Sequence, residues 1–274
     1  RTTHRLIEQH LVHKKPLDQK KLLNSREEIL KPLRIVRESL EQNNNENIAS
    51  GELLDLMTRT KYFGINLARL NIKKESSRHS QLINEFFVKK YKKNYLGLNE
   101  KNKIKFLKTQ IVSKKNKINN FKFKNKENNE VWSTFKILAH EPSECLGAYV
   151  ISMTTSASDI LSVSFLQKEA KIKNKLRVVP LFETLDDLIN AKEIMKSLFS
   201  QNWYRKLINN NQEVMIGYSD SSKDAGKICA NWHQYKAQEE IVKLGRRFNI
   251  NVTFFHGRGG SAGRGGGPIQ ATLR

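Results

Sequence analysis

The sequence predicts an α/β fold, a partial TIM-type (β/α) barrel that is predominantly helical because many additional helices accompany it. Three observations carry that prediction. From Ala148 onward, short apolar runs rich in β-branched residues alternate with segments of helical periodicity. The runs recur at intervals of about thirty to forty residues, the length of a βαβ unit. Three chemistry-rich stretches then follow directly on such runs: Phe182-Glu183-Thr184, residues 217–226 and residues 255–267. Carboxylates, a lysine, a histidine and two arginines are thereby collected at the C-terminal ends of successive strands, where a parallel barrel keeps its site.

The first part, to about Phe63, reads as helical, with Ile29, Leu33, Val36 and Leu40 at three- and four-residue spacing. Asn43-Asn44-Asn45 interrupts that pattern, and a second helical segment follows at 53–58. The apolar run 65–72 is short enough for a buried strand. Ser76-Ser77-Arg78-His79 comes next, before another helical pattern. Residues 89–130, rich in lysine and asparagine, read as helix and loop and carry the least pattern of any part.

Strands are expected at 149–153, 178–182, 214–218 and 251–255. The first helix between them begins Ser156-x-x-Asp159, a capping-box-like start, and presents Ile160, Val163, Leu166 and Ala170 on one face. The second begins Thr184-x-x-Asp187, and the third carries Ile228, Trp232, Tyr235 and Val242 on one side. With the run at 65–72, about five strands are visible, and a closed barrel needs eight. The whole of 1–274 is therefore expected to be the central part of a barrel domain, incomplete at both ends, an internal piece of a longer chain that opens on Arg1 and stops soon after a glycine-rich loop.

At 274 residues, core size is not limiting. Lysine and arginine total 49 against 27 acids, a formal charge of +22, which by default suggests a polyanionic partner. The excess is mostly lysine mixed with asparagine and isoleucine, densest at 89–126 with few aromatic platforms, so a solvated face shaped by compositional drift explains it as well. Cys145 and Cys229 lie far apart with no Cys-x-x-Cys, which points away from a zinc site or disulfide framework and fits a reducing, cytoplasmic compartment. No stretch has the length and apolarity of a membrane span.

Glu183 and Asp220 sit just past consecutive strands, where two carboxylates can converge on a hard cation such as Mg²⁺, which takes one or two protein carboxylates and fills its shell with water and substrate oxygens. The alternative is plain helix N-capping. Lys223 lies in a serine-lined turn closed by Gly226, placed to neutralise a phosphate or carboxylate or, more simply, to pair with Asp220 or Asp224. The loop after His256 carries Arg258-Gly259-Gly260 and Arg264-Gly265-Gly266, in which glycines let backbone N–H groups approach an anion and arginines add forked donors. Its competing reading is an Arg-Gly-Gly nucleic-acid segment. Only two units occur and they follow a strand, which favours a folded anion site.

These residues resemble a known family. Residues 214–226 and 255–267 look like the two signature segments of phosphoenolpyruvate carboxylase. Residues 148–153, Pro180-Leu181-Phe182-Glu183-Thr184, Trp203-Tyr204-Arg205, Gly51-Glu52-Leu53-Leu54-Asp55 and Glu75-Ser76-Ser77-Arg78-His79 agree in the same order. The resemblance implies a largely helical protein around an α/β barrel, a homotetramer when complete, that joins bicarbonate to phosphoenolpyruvate and releases oxaloacetate and phosphate. It implies Mg²⁺ or Mn²⁺ held by Glu183 and Asp220, with Lys223, His256 and Arg258 as catalytic residues and Arg264 and Lys73 binding substrate. It also implies aspartate as an inhibitor acting through the Arg264 loop. Two departures stand out. Lys73 occupies a position where the family has arginine, keeping the charge and losing the planar fork, and none of the seven histidines lies in the Thr-Ala-His-Pro motif that supplies the family's catalytic histidine.

Two other readings compete: a basic nucleic-acid-binding protein using the lysine-rich stretch and the Arg-Gly-Gly loop, and a non-catalytic remnant. Because the histidine motif is absent, the isolated 274-residue polypeptide is expected to form no oxaloacetate from phosphoenolpyruvate and bicarbonate with magnesium supplied. A coupled assay checks this, and turnover abolished by Lys223→Ala would contradict it.

Overall fold

The structure, a computed structural model, describes residues 2–13, 23, 25–66, 68–113, 117–118 and 121–257. The chain divides into two compact units, one running to Leu70 with Pro142–Leu146, the other Asn71–Glu141 with Gly147 onward.

The first unit is helical. Its elements are α1 (Thr2–His13), α2 (Arg26–Gln42), the single turn α3 (Glu46–Ala49) and α4 (Glu52–Phe63), with a short 3-10 turn at Ser143–Cys145. The expected interruption is real: Asn44 takes φ 59° immediately after α2, a left-handed conformation that asparagine tolerates better than most residues. Glu144 ties the 3-10 turn to α2 by accepting the Arg26 N–H at 3.3 Å, while Arg26 Nη1 donates to the Lys61 carbonyl at 3.0 Å.

The second unit is built on a parallel sheet whose strands follow one another in chain order, β1 (Leu70–Glu75), β2 (Leu146–Ser152), β3 (Arg177–Phe182), β4 (Asn211–Gly217) and β5 (Asn251–Gly257). The last four strands lie within a few residues of their expected positions. The first does not match its expectation. The run at 65–72 was expected to be a buried strand, yet β1 starts at Leu70, continues into polar residues and is half-buried at most, with Leu70 67% exposed. Its position is set by its neighbour, since the Asn71 side chain accepts the Ala148 N–H at 2.8 Å.

Around the sheet lie α5 (Ser76–Tyr91), α6 (Glu100–Val112), α7 (Lys126–His140), α8 (Ala157–Glu169), α9 (Leu185–Phe199), α10 (Asn202–Leu207), α11 (Ser219–Ala225) and α12 (Lys227–Phe248). Both acidic helix starts operate as expected. The Asp159 carboxylate accepts the Ser156 N–H at 2.9 Å, and Thr184 and Asp187 exchange bonds of 3.1 and 3.0 Å, satisfying donors the helix leaves open. The α8 helix is buried almost all round rather than along one face.

The register places Tyr149, Ile151, Phe182, Val214 and Ile216 on one face, all at 0% exposure. The helices pack there: a Cβ added at Gly245 of α12 would lie 2.7 Å from Val252 Cγ2. The opposite face carries Ala148, Val150, Val179 and Leu181 with Met215 packed against them. The apolar side expected for α12 is not its packed side. Ala230, Gln234, Ala237, Ile241 and Leu244 are buried, whereas Ile228, Trp232 and Tyr235 are 88%, 57% and 57% exposed. Where α12 meets β5 most closely, Gly245 leaves no room for a side chain.

The lysine-rich stretch is more structured than its composition implies. Tyr95, Leu107 and Ile118 are fully buried within it, and Phe87 and Phe106 meet edge to face at 5.0 Å. The fully buried Glu169 at the end of α8 accepts the N–H groups of Lys117 and Ile118, the latter at 2.7 Å. Phe121 packs on Phe86 and Phe123 on Trp132, so these rings are engaged by the protein rather than offered to nucleic-acid bases. Neither Cys145 nor Cys229 takes part in a disulfide among the described residues.

His79 is buried at 0% exposure, its Nε2 paired with the Tyr149 hydroxyl at 2.7 Å. Burial, helped by the nearby Lys74 charge, pushes its pKa down to about 3. The unfolded chain therefore takes up a proton near the ordinary value that the native state refuses, so stability is fully present above about pH 6.5 and is lost as pH falls toward 3. Urea unfolding between pH 5 and 7 should show a dependence of about 1.4 kcal/mol per pH unit below pH 6.5 from this residue, and His79→Gln should remove that component of the slope.

Candidate active site

Parallel pairing sends the C-terminal ends of β3, β4 and β5 to one edge, where Glu183 and the turn bearing Asp220 and Lys223 follow on. Glu183 directly follows β3. Its carboxyl is mostly enclosed, with a side chain 11% exposed. One oxygen, Oε1, accepts the Met153 N–H at 3.3 Å, and the other lies 3.7 Å from Lys73 Nζ on β1. Burial raises its pKa above the ordinary carboxylate value; Lys73 and the Met153 N–H pull it down, while the negative charges of Asp220 and Asp187 push it up.

Asp220 lies in the first turn of α11, one strand over, close enough for its charge to act on Glu183. Lys223 Nζ is 3.3 Å from Asp220 Oδ1, the simple (i, i+3) pair foreseen as its alternative role. With the lysine 68% exposed, that pair contributes little to stability. It nonetheless gives each of the two carboxylates its own lysine.

The turn carrying Asp220 is held from below. Ser221 is fully buried and donates to the Gly217 carbonyl at 3.2 Å, while the buried Gln234 of α12 donates to Ser221 Oγ at 2.9 Å. Asp224 fastens the other end by accepting the Leu185 N–H at 3.1 Å. Gly217 faces Glu183: a Cβ there would sit 3.0 Å from Glu183 Cα and 3.2 Å from its Cβ, so glycine lets the end of β4 approach Glu183 this closely.

His256 is not brought to the Glu183 side. Pairing with Ile216, it belongs to the face on which the helices pack, and its Nδ1 meets the Tyr218 hydroxyl at 2.6 Å. Arg258 and Arg264 lie outside the described residues. The sequence did not single out Met153 or Gln234, and offered Asp224 only as a partner for Lys223, whereas it accepts the Leu185 N–H; these parts depend on contacts across the fold. Only Met153, following the apolar run and preceding two threonines, carried a positional signal.

The arrangement suits a hard divalent ion. Two oxygen-only carboxylates, one of them raised in pKa, follow adjacent strands at the same edge, and Mg²⁺ or Mn²⁺ needs no more protein ligands than two carboxylates when substrate oxygens complete its shell. No cluster of three or more His, Cys, Asp or Glu is present among the described residues, which is the set a closed structural site would need. A cavity of about 470 Å³ lies at the opposite strand ends, lined by Arg177 and Glu213 among others. Those two charges already neutralise each other at 3.1 Å, and strand polarity favours the carboxylate edge.

The family model described as phosphoenolpyruvate carboxylase matches residues 1–273. Over 250 residues the chain is 44% identical to "Phosphoenolpyruvate carboxylase 3" of Arabidopsis thaliana, which covers 90% of this chain and 26% of that protein. It is 44% identical over 247 residues to "C4 phosphoenolpyruvate carboxylase" of Flaveria trinervia, covering 90% and 26% of the two chains. Similarity to the phosphoenolpyruvate carboxylase of Acinetobacter baumannii is also 44%, over 93% of this chain and 29% of that one. The chain thus spans about a quarter of the length of these relatives.

Since Lys73 holds the Glu183 pKa down against burial, Lys73→Met should raise it further. A carboxyl ¹³C titration of Glu183 in the two proteins measures the shift, and a fall would contradict the assignment of Lys73 as its counter-ion.

Proposed function

The chain belongs to the phosphoenolpyruvate carboxylase family, and from that membership we propose that the whole protein carrying it joins bicarbonate to phosphoenolpyruvate, giving oxaloacetate and phosphate. The observation that carries this reading is the pairing of Glu183 and Asp220 at one edge of adjacent parallel strands, each with a lysine beside it. Such an edge can gather a cation and a trianionic substrate together.

In this reading Glu183 and Asp220 hold Mg²⁺ or Mn²⁺, which supplies Lewis-acid stabilisation of enolate charge when bound. Lys73 and Lys223, mobile partners of those carboxylates, turn toward the substrate's phosphate and carboxylate once a stronger counter-ion takes their place. Arg258 and Arg264 orient phosphate and bicarbonate with forked donors. Bicarbonate oxygen attacks the phosphoryl group, carboxyphosphate and the enolate of pyruvate result, and the enolate carbon captures the carbon dioxide released. The cationic groups offset the negative charge that develops on the way. His256 acts through Tyr218, tying the end of β5 to the start of the turn that bears Asp220 and Lys223.

The unreversed strand order supports the barrel. Right-handed crossovers between in-order parallel strands put every helix on one face, whereas a doubly wound sheet would reverse its order. The remaining face, with Met215 partly and Phe255 45% exposed, is then the lining that later strands close over. A homotetramer, cytoplasmic location and inhibition by aspartate through the Arg264 loop belong to the same proposal. So does the extent of the domain, with 1–274 as the central part of a barrel domain and 89–130 as a Lys/Asn-rich helical and loop segment.

Arg258→Ala in the complete enzyme should cost about 2–5 kcal/mol of transition-state stabilisation, the range for stripping one partner from a desolvated charge pair. Arg264→Ala should weaken inhibition by aspartate as well as catalysis, while Lys122→Ala should leave both nearly unchanged. Steady-state kinetics decide the matter: near-normal kcat/KM in Arg258→Ala beside a crippled Lys122→Ala would overturn the anion-cradle reading.

A further inference from the structure

Met153 is a bulky residue in a backbone conformation that suits glycine. It follows β2 with φ 53°, its side chain 43% exposed. A left-handed L-residue persists only where its surroundings over-determine it, and such residues collect where function needs a fixed geometry. The surroundings here do so from both sides. Ser76, the first residue of α5, donates its hydroxyl to the Met153 carbonyl at 2.5 Å. Thr154, fully buried, donates to the Ile151 carbonyl at 2.9 Å, and the Asp159 carboxylate accepts the Thr155 and Ser156 N–H groups at 3.1 and 2.9 Å.

What the clamped turn delivers is a single donor, the Met153 N–H, pointed at Glu183 Oε1 at 3.3 Å. The other oxygen of that carboxylate is met by Lys73 at 3.7 Å, on a side chain 52% exposed. These two partners differ in kind. A half-exposed lysine can leave when another cation arrives, but a peptide N–H held between a hydroxyl and a capped helix cannot follow. The backbone donor is therefore the permanent constraint on how Glu183 presents its oxygens.

We propose that Ser76 and Met153 are positioning residues for the Glu183 carboxylate, the Ser76 hydroxyl holding the carbonyl of the left-handed Met153, on whose other side the N–H fixes the carboxylate for divalent-cation binding. The inference rests on the metal-binding role given to Glu183 above. Ser76 and Met153 touch neither cation nor substrate in this scheme; they act through Glu183. Partners of this sort usually carry 10–100-fold in metal affinity, because a ligand free to rotate loses order each time it binds.

The test is Mn²⁺ binding, read by electron paramagnetic resonance titration of free Mn²⁺ in the complete enzyme, with Tm measured in parallel. Ser76→Ala should weaken Mn²⁺ affinity by about tenfold, and Ser76→Thr, which keeps the hydroxyl, should restore it. Met153→Gly accepts the positive φ without steric cost yet frees the turn to move, so it should weaken Mn²⁺ binding without lowering Tm; it decides the question if Ser76→Ala does not fold. Glu183→Gln separates the two levels of the argument. If it abolishes Mn²⁺ binding while Ser76→Ala and Met153→Gly bind as tightly as the unaltered protein, the positioning role is wrong. If Glu183→Gln itself binds Mn²⁺ normally, or the unaltered protein binds none, the metal reading beneath it has failed.

Discussion

Parallel pairing of β2, β3, β4 and β5 in chain order is the constraint on which the rest of the second unit depends. Because all strands run the same way, whatever follows each strand emerges at the same edge. Because the register matches Leu181 with Met215 and Met215 with Phe255, side chains of one parity share a face across three strands. Glu183 inherits its direction from that parity, and Gly217 opposes it for the same reason. A slip of one residue in β4 would turn Met215 toward the helices and put a side chain beside Glu183.

Holding a carboxylate mostly out of water has a free-energy cost, visible in the raised pKa of Glu183. The fold offsets it with partners from separate elements, a lysine from β1 and a peptide N–H from the turn after β2, while the charge of Asp220 on α11 adds to it. Other buried acids are treated differently. Asp159 and Asp187 close helix starts, and Glu169 accepts two N–H groups of a loop and pairs with Lys168 at 2.9 Å. Those carboxylates are committed to the backbone. Glu183 keeps a half-exposed lysine as one of its partners, which leaves it available for a cation.

The exposed aromatic side of α12 and the buried residues of the lysine-rich stretch teach the same lesson in opposite directions. The buried side of α12 combines Ala230, Ala237 and Gly245 with Ile241 and Leu244, while Ile228, Trp232 and Tyr235 turn outward. A stretch dominated by lysine can still place Tyr95, Leu107 and Ile118 at full burial, because few residues suffice to dock it once Glu169 captures its loop. Bulk composition and apolar periodicity describe what a segment contains, whereas packing geometry decides which of its residues turn inward.

The sequence by itself determined the alternation of strand and helix from residue 148, both acidic helix starts, and the placement of Glu183 and Asp220 just past strand ends. These are local matters of apolar runs, capping residues and turns, and short-range chemistry settles them. It also carried the family resemblance through long ordered motifs. Other features could not be read this way. The edge position of β1 follows from an Asn71 side chain that bonds 77 residues away. The pairing of Lys73 with Glu183, the separation of His256 onto the helix-packed face, and the clamp that Ser76 places on Met153 all join residues distant in the chain. Only the tertiary structure decided those, because strand register and the approach of one element to another select which distant groups meet, and neither is encoded in any single segment.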